Sequence, residues 1–432
     1  MIFFIREYQL DGIMWRYLRI CICSCLCLVF LLLGFSLPGA VAKNTTPPAI
    51  EKYLQTGQLA AGEAAMLAQL QKHPQDDQAR FSLGMVQLAK AVERVMQSLY
   101  RYGVRSNALT GFLPILRLPT PTNPNPQMIT YENTRQILQG FIDDLGKVEA
   151  TLAPMQDKNV KLPLRFGLIR LDINGDGKVE ESESLWKIFA TINRINITPT
   201  QASQFAIAFD AGDAVWLRGY CHLLSAIGEF GLAHDGREFF NSLAHVLFTK
   251  PDTPYKFLVN APTSTNSFGG IEFVDIIAFF HLLRFPLQEP TRMTKALQHL
   301  QTTTKLSRQS WQLIMAETDN DREWLPNPKQ TGVIPNVRVT SQMVKTWLAF
   351  LDETDSILTG KVLIPFWRIR EVRGVNINKA FTQPGTLDVI AWLQGTGAAP
   401  YLQVGKMTNT RFWQQLQETF GGQFFGFAVW FN

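Results

Sequence analysis

Asp172, Asn174, Asp176, Lys178, Glu180 and Glu183 stand at positions 1, 3, 5, 7, 9 and 12 of one twelve-residue stretch, with Gly177 at position 6. Carboxylate and amide oxygens at this spacing suit a hard divalent cation, which takes about six to eight oxygen ligands. Asp172, Asn174 and Asp176 each offer a side-chain oxygen. Lys178 offers its backbone carbonyl, and Glu180 a direct or water-mediated contact. Glu183 can close the site with both carboxylate oxygens. Gly177 permits the sharp turn that a Cβ would resist. Val179 is apolar, as expected where the loop meets a neighbouring element. The ion implied is calcium, with Asp172, Asn174, Asp176, Lys178 and Glu183 as its ligands.

The stretch resembles the loop of an EF-hand, whose pattern D-x-[DN]-x-[DN]-G-x5-E it meets at every specified position. The resemblance covers the loop and its flanks and implies a helix on each side. Pro163 suits a first helical position. Leu164, Leu168 and Leu171 then recur at spacings of four and three and predict a short incoming helix. Leu185, Ile188, Phe189 and Ile192 predict the outgoing one. The sequence has no second loop of this quality, which argues against paired, cooperative sensing. Calcium is plentiful outside cells, so affinity of ~10⁻⁴ to 10⁻³ M would keep such a loop filled. A structural clip is therefore expected rather than a switch.

Other residues offer weaker chemistry. His234, Glu238 and His245 fall on one face of an ideal helix and could ligate zinc or iron. Gly236 and Asp235 explain the same stretch as a helix start. Asp210, Asp213 and Glu229 are carboxylates in apolar surroundings, readable as an acid/base pair or, more commonly, as surface-exposed helix caps. Glu317, Asp319, Asp321 and Glu323 form an acidic cluster without the glycine a second loop requires, and are expected to be a solvated helix end. His222 and His281 read as core histidines. Trp324 and Trp367 could line a cleft, though buried packing explains them as well. The sequence lacks G-x-S-x-G, a P-loop and G-x-G-x-x-G. No catalytic residue is assigned, and a binding protein is favoured over an enzyme. The rival readings are a secreted metal-dependent hydrolase with its site in 205–285 and a tetratricopeptide-type periplasmic assembly factor.

The elements that must position the loop follow. Arg16 and Arg19 precede an apolar run from Ile20 to Phe35, then Pro38 and Ala40-Val41-Ala42. This predicts an export signal over 1–42, cut after Ala42, and a periplasmic or secreted destination. Four of the five cysteines lie in that segment, leaving only Cys221 and no intramolecular disulfide. The formal charge of +5 falls to +4 when the three basic and two acidic residues of 1–42 are removed. Without a Lys/Arg block, nothing points to nucleic acid, and no later apolar run is of membrane-spanning length.

Residues 43–116 predict a helical hairpin. Pro74 followed by Leu83-Gly84 is similar to the junction of tetratricopeptide repeats, which implies a protein-interaction surface there. Pro119, Pro121, Pro124 and Pro126 predict an extended linker over 117–130. Residues 131–360 predict a helical domain holding the loop, with Thr340 as a cap. Residues 361–432 predict a mixed α/β cap. In it 361–367, 387–393 and the Phe-rich 424–431 are read as short strands. The fold class is mainly α: a multi-helix bundle with a helical hairpin N-terminal unit, one EF-hand-like loop and a few short C-terminal strands. Beyond the loop the chain is similar to secreted bacterial proteins and suggests no named activity.

Overall fold

A computed structural model describes residues 47–107, 110, 118–193, 196–260, 271–334, 337–368 and 372–432, with the side chains of 192 and 193 left aside. The expected signal over 1–42 and the glycine pair at 269–270 lie outside the described residues. The fold is mainly α with a few short antiparallel strands. In chain order the first helices are α1 (Glu51–Gln55), α2 (Leu59–Lys72), α3 (Asp77–Arg101) and α4 (Tyr131–Leu152). Then come β1 (Lys161–Leu164), α5 (Leu185–Asn193), α6 (Pro199–Gln204), β2 (Ile207–Asp210), α7 (Ala211–Leu232) and α8 (Arg237–Leu247). They are followed by α9 (Lys256–Asn260), α10 (Phe273–His281), β3 (Arg284–Phe285), α11 (Pro290–Ala316) and α12 (Ser341–Leu358). The remainder is β4 (Ile364–Pro365), β5 (Arg373–Val375), α13 (Ile377–Thr382), β6 (Leu387–Asp388), α14 (Val389–Gln394), β7 (Leu402–Val404), α15 (Thr410–Thr419) and α16 (Phe424–Phe431).

The long helices pack in series. α2 lies on α3, α3 on α4, α4 on α7, α7 on α11, and α11 on α12. Their starts are set by side-chain caps. Asp76 accepts from the Ala79 amide, Thr130 and Asn133 form a reciprocal capping box, and Thr340 accepts from the Met343 amide. One buried apolar core runs through them, from Ile50 and Leu54 through Phe81, Leu152, Trp216 and Trp311 to Phe431. Residues 118–130 run against the end of α3, where Asn123 Nδ2 donates to the Tyr100 carbonyl and the Gln127 amide to the Arg101 carbonyl.

Gly84 lets α3 and α4 approach. A Cβ there would sit 2.5 Å from Leu152 Cδ2 and 2.8 Å from its Cγ. Leu152 is fully buried and cannot swing away. Alanine normally gains roughly 1 kcal/mol over glycine inside a helix, but overpacking costs about 1–3 kcal/mol. Gly84→Ala is therefore expected to lower stability in urea unfolding. Adding Leu152→Val, which returns the space, is expected to recover more than half of the loss.

Two segments differ from expectation. The incoming helix predicted from Pro163 does not form. Residues 161–164 are strand β1, antiparallel to β2 with Lys161 opposite Asp210 and Leu164 opposite Ile207. Leu162 and Leu164 are both buried, an alternation of two that serves a strand. Leu168 lies in a single 3-10 turn over 166–168. At the other end, 424–431 is helix α16 and not a strand. Phe424, Phe427 and Phe431 repeat at three and four and place their rings on one helical face. Residues 361–367 contribute only β4, and 387–393 is a two-residue strand leading into α14, so the C-terminal region is a small β4-β5-β7 sheet amid short helices.

Candidate metal centre

The 172–183 loop is folded around its own acceptors. Asp172 Oδ1 accepts from the Gly175 amide at 2.8 Å and Oδ2 from the Gly177 amide at 3.0 Å. Asn174 Oδ1 accepts from the Asp176 amide at 2.9 Å, and Asp176 Oδ1 from the Lys178 amide at 2.7 Å. Gly177 has φ +77° with open space where a Cβ would stand, so the turn needs glycine for its backbone angle alone. Glu183 is buried, with Oε1 accepting from the Ile173 amide and Oε2 from the Glu180 amide. That carboxylate ties the two limbs of the loop together. The Leu171 amide donates to the Glu183 carbonyl and the Leu185 amide to the Ile169 carbonyl, and the outgoing helix follows as α5.

The loop is fastened to the N-terminal hairpin. Gln97 Nε2 donates to the Asp172 carbonyl, and Glu93 accepts from the Asp172 amide at 2.7 Å. Burial raises Glu93 to about 7; the Asp172 amide opposes the shift, and the Asp172 and Glu183 carboxylates add to it. Val179 packs where Gly57 follows α1, a glycine whose missing Cβ would lie 2.5 Å from Val179 Cγ2. The Arg170 amide donates to the Leu54 carbonyl. The donor set is all oxygen and suits a hard cation. Asp172, Asn174, Asp176, the Lys178 carbonyl and Glu183 would hold it, with Glu180 at the rim.

Among the described residues, the acidic side chains that converge within 4.8 Å as a trio are elsewhere: Asp210, Glu317 and Glu323. The expectation of a solvated helix end at 317–323 holds for Asp319, which is exposed, and is corrected for Glu323, which is 1% exposed. Asp210 caps α7, with Asp213 completing the capping box. Burial, reinforced by the Asp210 charge, drives Glu317 up to about 9. Glu323 rises to about 7, chiefly by burial, with the Asp321 amide opposing. Asp213 is held well above the carboxylate range by burial and by Asp210. Lys161 supplies the counter-charge, 2.8 Å from Asp319 and 3.6 Å from Asp210.

A raised carboxyl pKa makes folding proton-binding, so the contribution is complete below pH 4.5 and declines as pH rises towards about 9. Glu317→Gln is expected to flatten that decline and to raise stability at pH 8 by on the order of 1–2 kcal/mol, with little change at pH 4. Urea denaturation at the two pH values measures it.

His234, Glu238 and His245 do not converge. His234 is buried in the turn before α8 with Nδ1 on the Phe230 carbonyl. Glu238 is exposed, and His245 faces Asp275 at 3.4 Å. Gly236 ends one turn and starts α8, so the assumed continuous helix is broken between the two histidines. His222 meets His299 through their Nδ1 atoms at 2.7 Å, a pairing that the sequence did not suggest. Trp324 is buried, whereas Trp367 is 42% exposed with its Nε1 donating to the Leu393 carbonyl. No helix among the described residues is long and apolar enough to cross a membrane. No family model, curated protein or solved structure matches the chain.

Proposed function

We propose that this chain is an exported calcium-binding protein in which the ion serves as a structural clip. One observation carries the reading. A complete set of oxygen donors at the required spacing is already turned into a loop, with the Asp172 carboxylate held by two glycine amides and Glu183 closing the far side. The position of the loop supports a structural role. It is bonded to α3 through Glu93 and Gln97, to the end of α1 through Leu54, and continues into α5. A cation there would join the N-terminal hairpin to the helical core without a disulfide, in a chain whose mature part keeps a single buried cysteine. The Arg16–Ala42 pattern supports export.

Isothermal titration of the metal-free full-length mature protein with calcium tests the proposal. One site with Kd of ~10⁻⁴ to 10⁻³ M is expected, lost in Asp172→Ala. Absence of saturable heat with the wild-type chain would falsify the reading.

A further inference from the structure

A cavity of about 190 Å³ lies between α3, α5, α6, α7 and the 324–334 segment. Its walls are apolar and rich in rings: Phe81 and Met85 from α3, Trp186 and Phe189 from α5, Trp216 and Leu217 from α7. An apolar cavity of about 150 Å³ stays dry and admits benzene, so this one has room for one substituted ring. Water is poorly served there, because a buried water needs about two to four polar partners. The polar side chains of the lining are the Asp213 carboxyl, the Tyr220 phenol and the indoles of Trp186, Trp216 and Trp324. Trp324 is 5% exposed, and its Nε1 is buried with no hydrogen-bond partner. The neighbouring Trp216 Nε1, by contrast, donates to the Trp430 carbonyl. The Trp324 Nε1 atom is enclosed by protein and does not open into the cavity. Asp213 is 4% exposed, and burial with the Asp210 charge pushes its carboxyl well above the usual carboxylate range. The walls therefore offer mostly aromatic and aliphatic faces.

We propose that this cavity is a binding site for an uncharged single-ring aromatic molecule. Ring-lined walls receive an aromatic guest edge-to-face or offset, and a charged guest would lose its hydration without a partner. The proposal does not depend on calcium, since no lining residue is a proposed ligand of the ion. Calorimetry and tryptophan fluorescence on the full chain at pH 7 test it with toluene, acetophenone and benzoate as probes. Toluene is expected to bind one-to-one with Kd on the order of 1 mM. Acetophenone, being neutral, is expected to bind as well, and benzoate not at all. Ala202→Leu and Val92→Phe, which extend into the space from α6 and α3, should each weaken both neutral probes at least about tenfold by removing the volume they occupy. Intermolecular nuclear Overhauser contacts from the toluene methyl to Phe81 and Trp216 locate the probe without any substitution. No saturable binding of either neutral probe, or contacts elsewhere in the molecule, overturns the site. Tight benzoate binding overturns the requirement for a neutral guest.

Discussion

Phe431→Ala is expected to cost about 3–5 kcal/mol in urea unfolding, the range for removing a fully enclosed aromatic side chain. Phe431 is 0% exposed, with its ring centroid 4.7 Å from that of Trp311 and 5.7 Å from that of Trp347. It also lies 5.7 Å from the Phe420 and Phe427 rings, so its loss would empty the meeting point of α11, α12, α15 and α16. The backbone beside it is engaged as well. The Trp430 carbonyl accepts from Trp216 Nε1, and Asn432 Nδ2 donates to the Trp216 carbonyl at 2.6 Å. Phe431→Leu should retain most of the stability by refilling part of the volume. A loss below about 1 kcal/mol for the alanine variant would show that α16 does not close this core.

Calcium at one hundred times its Kd is expected to raise the unfolding free energy by about 2.7 kcal/mol, provided that the unfolded chain does not bind it. Asp176→Ala is the sharpest control. Asp176 is exposed and bonded only within the loop, to the Lys178 amide and the Asn174 side chain. Its removal should leave the metal-free protein within about 0.5 kcal/mol of wild type while abolishing the response to calcium. Glu183→Gln differs in a useful way. The amide that replaces one carboxylate oxygen cannot accept from both the Ile173 and the Glu180 N–H, so this variant should lose stability even in chelator. Thermal unfolding of the three proteins with and without calcium distinguishes ion binding from loop architecture. A wild-type protein insensitive to calcium removes the clip.

The mainly α character was legible because long periodic runs announce themselves. The Thr340 start was visible as a cap. What escaped was set by distant partners. Residues 161–164 satisfy a weak helical spacing through Leu164, Leu168 and Leu171, yet β2 offers them a ladder that no local pattern reveals. Residues 424–431 carry β-prone rings, and tertiary burial of one helical face outweighs that preference. Glu317 and Glu323 read as solvated because Asp210 and Lys161, whose charges act on them, lie far back in the sequence. His222 found His299 for the same reason. The loop at 172–183 was the opposite case, a motif whose turn chemistry lies within twelve consecutive residues. Even there, the fastening to Glu93, Gln97 and Leu54 needed three dimensions. A cavity has no signature in sequence at all, because it is made of what several elements fail to fill.

The engagement of α16 with α7 and α11 has a consequence for how the molecule reaches its native state. Trp216, Trp311 and Trp347 are synthesised well before the segment that covers them. Until 424–431 arrives, this aromatic surface is sticky and has nothing to adhere to but other molecules. Bringing such distant stretches together also slows the search for the native arrangement. The nascent chain should therefore demand a holding factor throughout its elongation, and refolding at high protein concentration should be lost to aggregates in proportion to the delay in docking the final aromatic helix.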